Sequence, residues 1–295
     1  MNKIGSASSR TYRVISLIIL VVLAILFLFP LYWIITGSFK TAQDIYATTP
    51  SFWPTEWTGA NFVKLFKDRS APLFSFGSFD GPKVPGAIRW LFNTVLMSVG
   101  AMLLTCLTAS MAGYALAKKR FVGRTLLFSL IICAMALPKQ VILIPLLKEM
   151  SVLKLWDSLW AVIFPTVGWP FGVFLMKQFS ESVPGEILEA ARVDGANEWR
   201  TFSTIVMPII KPGIGALAIF TFINSWNDYF MQLVMLASSR NFTISLGIAT
   251  MQAETSVDLG LLMSGAALAA VPIIVVFLIF QKYFTQGITM GAVKG

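Results

Sequence analysis

Residues 14–35 read VISLIILVVLAILFLFPLYWII, an uncharged run that follows Lys3, Arg10 and Arg13. At about 1.5 Å rise per residue, a helix of this length crosses the ~30 Å hydrocarbon core of a bilayer. The run is too long for the apolar core of a secretory signal, and Trp33 stands where cleavage requires a small residue. It reads as an uncleaved membrane helix. Five more stretches of the same character follow at about 89–117, 125–147, 157–177, 213–236 and 260–283. The expected fold is therefore all-α: a single polytopic membrane domain over 1–295 with six transmembrane helices.

Composition agrees. Of 295 residues, 56% are hydrophobic and 13% charged, against about 25% charged in soluble proteins. The net charge of +9 comes from basic residues near the ends of apolar stretches, as membrane proteins use them. No basic stripe with interleaved aromatics points to nucleic acid. The chain has no histidine, which removes the commonest general base and metal ligand. With no cluster of acids inside the spans either, the sequence offers no nucleophile–base pair and no metal site, so an enzyme is disfavoured. Cys106 and Cys133 lie within apolar stretches and read as small core residues.

Six spans put both termini on one side. The loop 118–124, KKRFVGR, has four basic residues and no acid, whereas the short loops at about 149–156 and 237–259 carry Lys154 and Arg240. Basic short loops stay in the cytoplasm, so both termini are expected there. The loop 37–88 is then extracytoplasmic. It is rich in proline and offers Trp53, Trp57, Phe74, Phe76 and Phe79 to the membrane surface or to a partner. The loop 178–212 is cytoplasmic.

That cytoplasmic loop contains a short helix. Pro184 suits a first helical turn, and nearby Glu181 and Glu186 complement its positive end. Ile187, Leu188 and Ala191 fall on one face, and Gly195 is a natural stop. A second helical stretch, about 196–207, leads to Pro208 and Pro212. By itself such a helix fits a solvated or headgroup-bound face, yet alanines anchor poorly in lipid and instead permit close approach of another surface.

The stretch Glu189–Ala196, EAARVDGA, followed by Ile205 and Pro208, resembles the EAA loop of permease subunits in binding-protein-dependent ABC importers. It is similar to the carbohydrate-uptake, MalG-like branch of the MetI-like superfamily, apart from Met207 where leucine is usual. Gly113–Ala117, the pair Pro138 and Pro145, the run Trp226–Tyr229 and the carboxyl end Gly287–Gly295 resemble that branch as well.

The resemblance implies a mechanism and a set of partners. Glu189, Ala190, Ala191, Asp194, Gly195, Ile205 and Pro208 would couple to a separate ATPase, with Glu189 bonded to it and the alanines allowing contact. Two ATPase subunits or domains, a second permease and an extracytoplasmic solute-binding protein would complete a complex in a bacterial or archaeal cytoplasmic membrane. No G-x-x-x-x-G-K-[ST] motif and no Gly-Lys pair occurs in the chain. ATP and magnesium would thus sit on the partner ATPase, with no cofactor bound here.

Polar residues inside the spans point to the solute. Pro138-Lys139-Gln140 interrupts the third span, where freed backbone groups are tolerated only against protein or a wet cavity and a lysine should face inward. In the fifth span, Asn224, Asn227 and Asp228 are spaced to share a helix face, and Trp226 or Tyr229 would stack on a sugar ring. Gln140, Asn224, Trp226, Asn227 and Asp228 are the candidate solute pathway, and the same polar groups fit a role as interhelical glue. A sugar or oligosaccharide is the expected solute. The alternatives are a polyol or sugar phosphate, or an ion-coupled carrier, for which Asp228 is the one suitable carboxylate.

Overall fold

The computed structural model describes residues 4–67, 70–76, 79–254 and 258–292. Lys3, residues 255–257 and the end of the carboxyl motif, 293–295, lie outside them, as do the side chains of Arg10, Phe76 and Phe79. Contacts divide the chain into two compact units, residues 1–69 with 248–270, and residues 70–247 with 271–295.

The first unit opens with α1 (Ile4–Ser38), then α2 (Ala42–Ile45) and α3 (Ala60–Lys67). The buried amide of Asn61 donates to the carbonyls of Ser38 (3.0 Å) and Lys40 (2.9 Å), satisfying groups at the end of α1 that the helix leaves without partners. Lys64 pairs with Asp258 at 3.0 Å. The proline-rich loop 37–88 is thus partly helical and tied down. Trp53 and Trp57 are exposed in it, as the sequence predicts.

The second unit starts with two small hairpins. β1 (Ser70–Pro72) pairs antiparallel with β4 (Lys83–Pro85), enclosing β2 (Ser75–Phe76) paired with β3 (Phe79–Asp80). Then follow α4 (Gly86–Lys118), α5 (Arg124–Met135), α6 (Lys139–Val152), α7 (Leu159–Val167) and α8 (Pro170–Glu181). The loop 178–212 supplies α9 (Gly185–Val193), α10 (Glu198–Arg200), a π-helical segment Thr201–Val206 and α11 (Met207–Ile209). Next come α12 (Lys211–Asn227) and α13 (Tyr229–Met235), and α14 (Ile244–Glu254) and α15 (Leu259–Ala292) end the chain.

α4 is the axis of this unit, with α8, α12 and α7 packed around it. Thr105, Ala109 and Gly113 lie four apart on α4 and face α8. A Cβ on Gly113 would stand 2.6 Å from the backbone of Met176 and Lys177, and one on Gly172 would stand 3.3 Å from Ala109. Small residues let the two backbones meet, as in membrane bundles generally.

Three helices, over Tyr12–Ser38, Gly86–Lys118 and Leu259–Gln281, are each long and apolar enough to cross a membrane. The other three expected spans are not continuous rods. α5 and α6 meet at 107°, α7 and α8 at 42°, and the segment Glu198–Ile209 meets α12 at 79°. Counting each bent pair as one span gives six. The stretch expected as one helix at 213–236 is also cut, at Asp228 between α12 and α13. Proline explains the cuts at two places: Pro138 caps α6, and Pro165 and Pro170 flank the α7–α8 break at Gly168 and Trp169. Cys133 corrects an expectation, being exposed on α5 rather than in the core, while Cys106 is half-buried.

Candidate coupling loop and translocation cavity

α9 ends in a Schellman turn. Ala196 N–H donates to the Ala191 carbonyl (2.9 Å) and Gly195 N–H to that of Arg192 (3.0 Å), with Gly195 left-handed at φ +74°. Asn197 then caps α10, its side-chain oxygen accepting from Arg200 N–H at 2.8 Å. The turn therefore starts a new helix two residues after closing the old one. That geometry aims the chain toward α12.

The two faces of α9 differ. Leu188 packs on a core cluster that includes Val183, Tyr114, Phe202, Val206 and Ile210, and Ala191 is buried. Glu189, Ala190 and Asp194 are exposed, and Glu189 has no polar partner among the described residues. Ala191 therefore corrects an expectation: it faces its own bundle and leaves Ala190 beside Glu189 on the free face. Ile205 is half-buried in the π-helical segment, and Pro208 is exposed in α11.

Both ends of α9 are fastened to α4. Lys118 Nζ donates to the carbonyls of Glu181 (3.1 Å) and Val183 (2.6 Å), at the exit of α8. Beyond α9, Glu198 accepts from Lys119 and from the Tyr114 hydroxyl (3.5 Å), and Arg192 stands 3.8 Å away. The Lys119 hydrogen bond, with the nearby positive charges, holds the Glu198 carboxyl below the usual carboxylate range against a push upward from burial. Tyr114 and Phe202 add a ring contact at 5.5 Å. α9 is thus tied to the end of α4 and packed on the cluster that includes Ile210, just before α12, and Leu217 within it.

The second feature is a cavity of about 390 Å³ where three helix breaks converge: residues near Pro138, the α7–α8 break at Gly168–Trp169, and the α12–α13 break at Asp228. Lys139 Nζ and Asp228 Oδ2 form an ion pair there at 3.1 Å. Asn224 shares the lining with them. Irregular backbone within a membrane segment is stable where it borders such a space.

Residues 107–290 match the family described as binding-protein-dependent transport system inner membrane component. The chain belongs to that family. Among its relatives, this permease is 33% identical to the arabinooligosaccharides transport system permease AraQ of Bacillus subtilis, over 98% of the chain and 99% of that protein. It is 30% identical to the maltodextrin transport system permease MdxG of the same organism, over 99% of both chains. The diacetylchitobiose uptake permease NgcG of Streptomyces coelicolor is 24% identical over 98% of this chain and 92% of its own. The fold of this permease matches a chain of a bacterial ABC transporter involved in the import of the acidic polysaccharide alginate, with a TM-score of 0.73 at 22% identity over 95% and 98% of the two chains.

The expected pathway residues separate in this permease. Asn224 and Asp228 reach the cavity, but the described lining lacks Gln140, Trp226 and Asn227. Trp226 is 2% exposed and stacks on Phe222 with centroids 5.4 Å apart, so the residue expected to hold a sugar ring is a core side chain. The Asn227 amide donates to its own helix, at the Ile223 carbonyl (3.0 Å). Lys139, one residue before Gln140, takes the inward place. The sequence signal for its partner was the lysine itself, since a cation at that depth requires an acid nearby. Trp169 and Phe171, at the unforeseen α7–α8 break, supply the aromatic wall instead.

Proposed function

We propose that this permease lines one half of a path for a sugar or oligosaccharide across a bacterial or archaeal cytoplasmic membrane, with both termini inside. A second permease supplies the other half, an extracytoplasmic binding protein delivers the solute, and two ATPase subunits or domains grip the face of α9 that carries Glu189 and Ala190. ATP and magnesium stay on those partners. The observation that carries the coupling role is α9 itself: exposed on one face, buried on the other, and fastened to α4 at both ends. The saccharide reading is supported by the relatives named for arabinooligosaccharide, maltodextrin and diacetylchitobiose transport. Loop 118–124 and the coupling loop meet at one end of α4, which supports a cytoplasmic place for both.

The test is purification of the tagged chain from its native membrane and reconstitution of what accompanies it. An ATPase and a second permease should co-purify, and binding protein loaded with oligosaccharide should stimulate both ATP hydrolysis and uptake. Uptake of a polyol or sugar phosphate alone would replace the solute class. Ion-driven transport by the lone chain would overturn the proposal.

A further inference from the structure

Resting on the saccharide reading and sharpening it, we infer that the cavity at the three helix breaks selects neutral over acidic saccharides, with Lys139 and Asp228 as the specificity-determining pair. Among the described residues that line it, these two alone carry charge, and they neutralise each other at 3.1 Å. The pair does not exhaust its hydrogen-bonding capacity. An ammonium has three N–H donors, and the one bond shown for Lys139 goes to Asp228. Asp228 also accepts from Met231 N–H at 3.4 Å, and a carboxylate has further lone pairs to offer. The Asn224 amide donates one N–H to the Phe220 carbonyl (3.0 Å), leaving its oxygen and its second N–H.

Donors and acceptors thus stand side by side around a space of about 390 Å³, within the ~300–1,000 Å³ range of small-molecule sites. A hydroxyl is donor and acceptor at once, so a polyhydroxylated solute fits both sets without disturbing the pair. The rings of Trp169 and Phe171, 5.0 Å apart, offer an apolar wall to the C–H face of a sugar. An acidic substituent meets a different situation. It must compete with Asp228 for Lys139, and success puts two carboxylates beside a single cation, so that like charges repel in the cavity.

The experiment reads the cavity's charge directly in the reconstituted complex, with Cys106 and Cys133 replaced by alanine and Ile142→Cys as reporter. Anionic and cationic thiol reagents of similar size should label it at similar rates once corrected for intrinsic reactivity. Asp228→Asn should speed the anionic reagent and slow the cationic one by roughly tenfold each, moving their ratio up by about a hundredfold, and Lys139→Gln should move it down by about as much, the effect of a unit charge ~10 Å away at an effective dielectric near 20. In the parent, maltotriose should slow labelling and trigalacturonate should not, whereas in Asp228→Asn trigalacturonate should slow it too. If a single variant fails to assemble, the Lys139→Gln/Asp228→Asn double variant carries the test: it should keep the parent labelling ratio and lose the preference for maltotriose. Ratios unmoved by the charge changes, or equal protection by both saccharides in the parent, would overturn this inference alone. Absence of protection by either saccharide in every variant would overturn the saccharide reading as well.

Discussion

Glycine at 195 answers to a backbone angle. Its φ of +74° costs a residue with a Cβ about 1–2 kcal/mol, with Asn and Asp the tolerated exceptions. Among the described residues beyond its two chain neighbours, no atom lies within 4 Å of where a Cβ would stand. Gly195→Asn should therefore retain most of the coupling between ATP hydrolysis and uptake, while the β-branched Gly195→Val should lose most of it. Equal loss in both, with the complex assembled, would show that a partner needs the bare surface. Glu189 poses the opposite case, an exposed carboxylate with no polar partner among the described residues. Glu189→Ala should weaken the grip of the ATPase by about 1.5–3 kcal/mol, the worth of a charge-assisted bond shielded from water. Its check is solute-stimulated ATP hydrolysis in a complex that still assembles; stimulation at the parental level would remove the coupling role from this face.

Elements meet here through small residues and part at prolines. On α4, Thr105, Ala109 and Gly113 make a flat strip against which α8 lies close enough to exclude a Cβ at 113. Gly113→Leu should force the two helices apart, with the ~1–3 kcal/mol loss typical of overpacking as a lower bound because backbone lies in the way. Gly185→Ala, where a Cβ meets nothing within 4 Å, is the matched control and should leave thermal stability of the purified complex unchanged. A Gly113→Leu complex as stable as the control would show that the seam gives way easily. The same seam fixes the loop 178–212: Lys118 and Lys119 extend from the end of α4, and their ties to Val183 and Glu198 hold only while α4 keeps its place.

For the whole molecule, side of the membrane is the property to test. Single cysteines in the loop 118–124 and at Glu189 should react with an impermeant thiol reagent only from the cytoplasm. Cysteines at Val63 and Arg240 should react only from outside. Outside labelling at position 120 would invert the orientation and with it every partner assignment. The apolar spans, the basic loop and the EAARVDGA stretch were all legible in one dimension. Span length follows from counting apolar residues against bilayer thickness, and a short helix with its left-handed stop follows from local chemistry at Pro184 and Gly195. Helical spacing also placed Asn224 and Asp228 near one face.

Which face would turn inward was not legible. Trp226 and Asp228 are two residues apart in a run that looks uniformly functional, yet one is core and the other lines a cavity. Ala190 and Ala191 are adjacent and chemically identical, and one is exposed while the other is buried. Periodicity gives relative angles around a helix axis, whereas the absolute orientation is set by contacts far away in sequence. Those contacts are the approach of α4 to α8 at Gly113, the core cluster under α9, and the 3.1 Å pairing of Lys139 with Asp228 across three broken helices. The sequence by itself determined that the chain crosses a membrane, how many apolar spans it carries, and where the short helix after Pro184 lies. Only the tertiary structure decided which polar groups share a space, because partners 89 residues apart are brought together by packing and not by pattern.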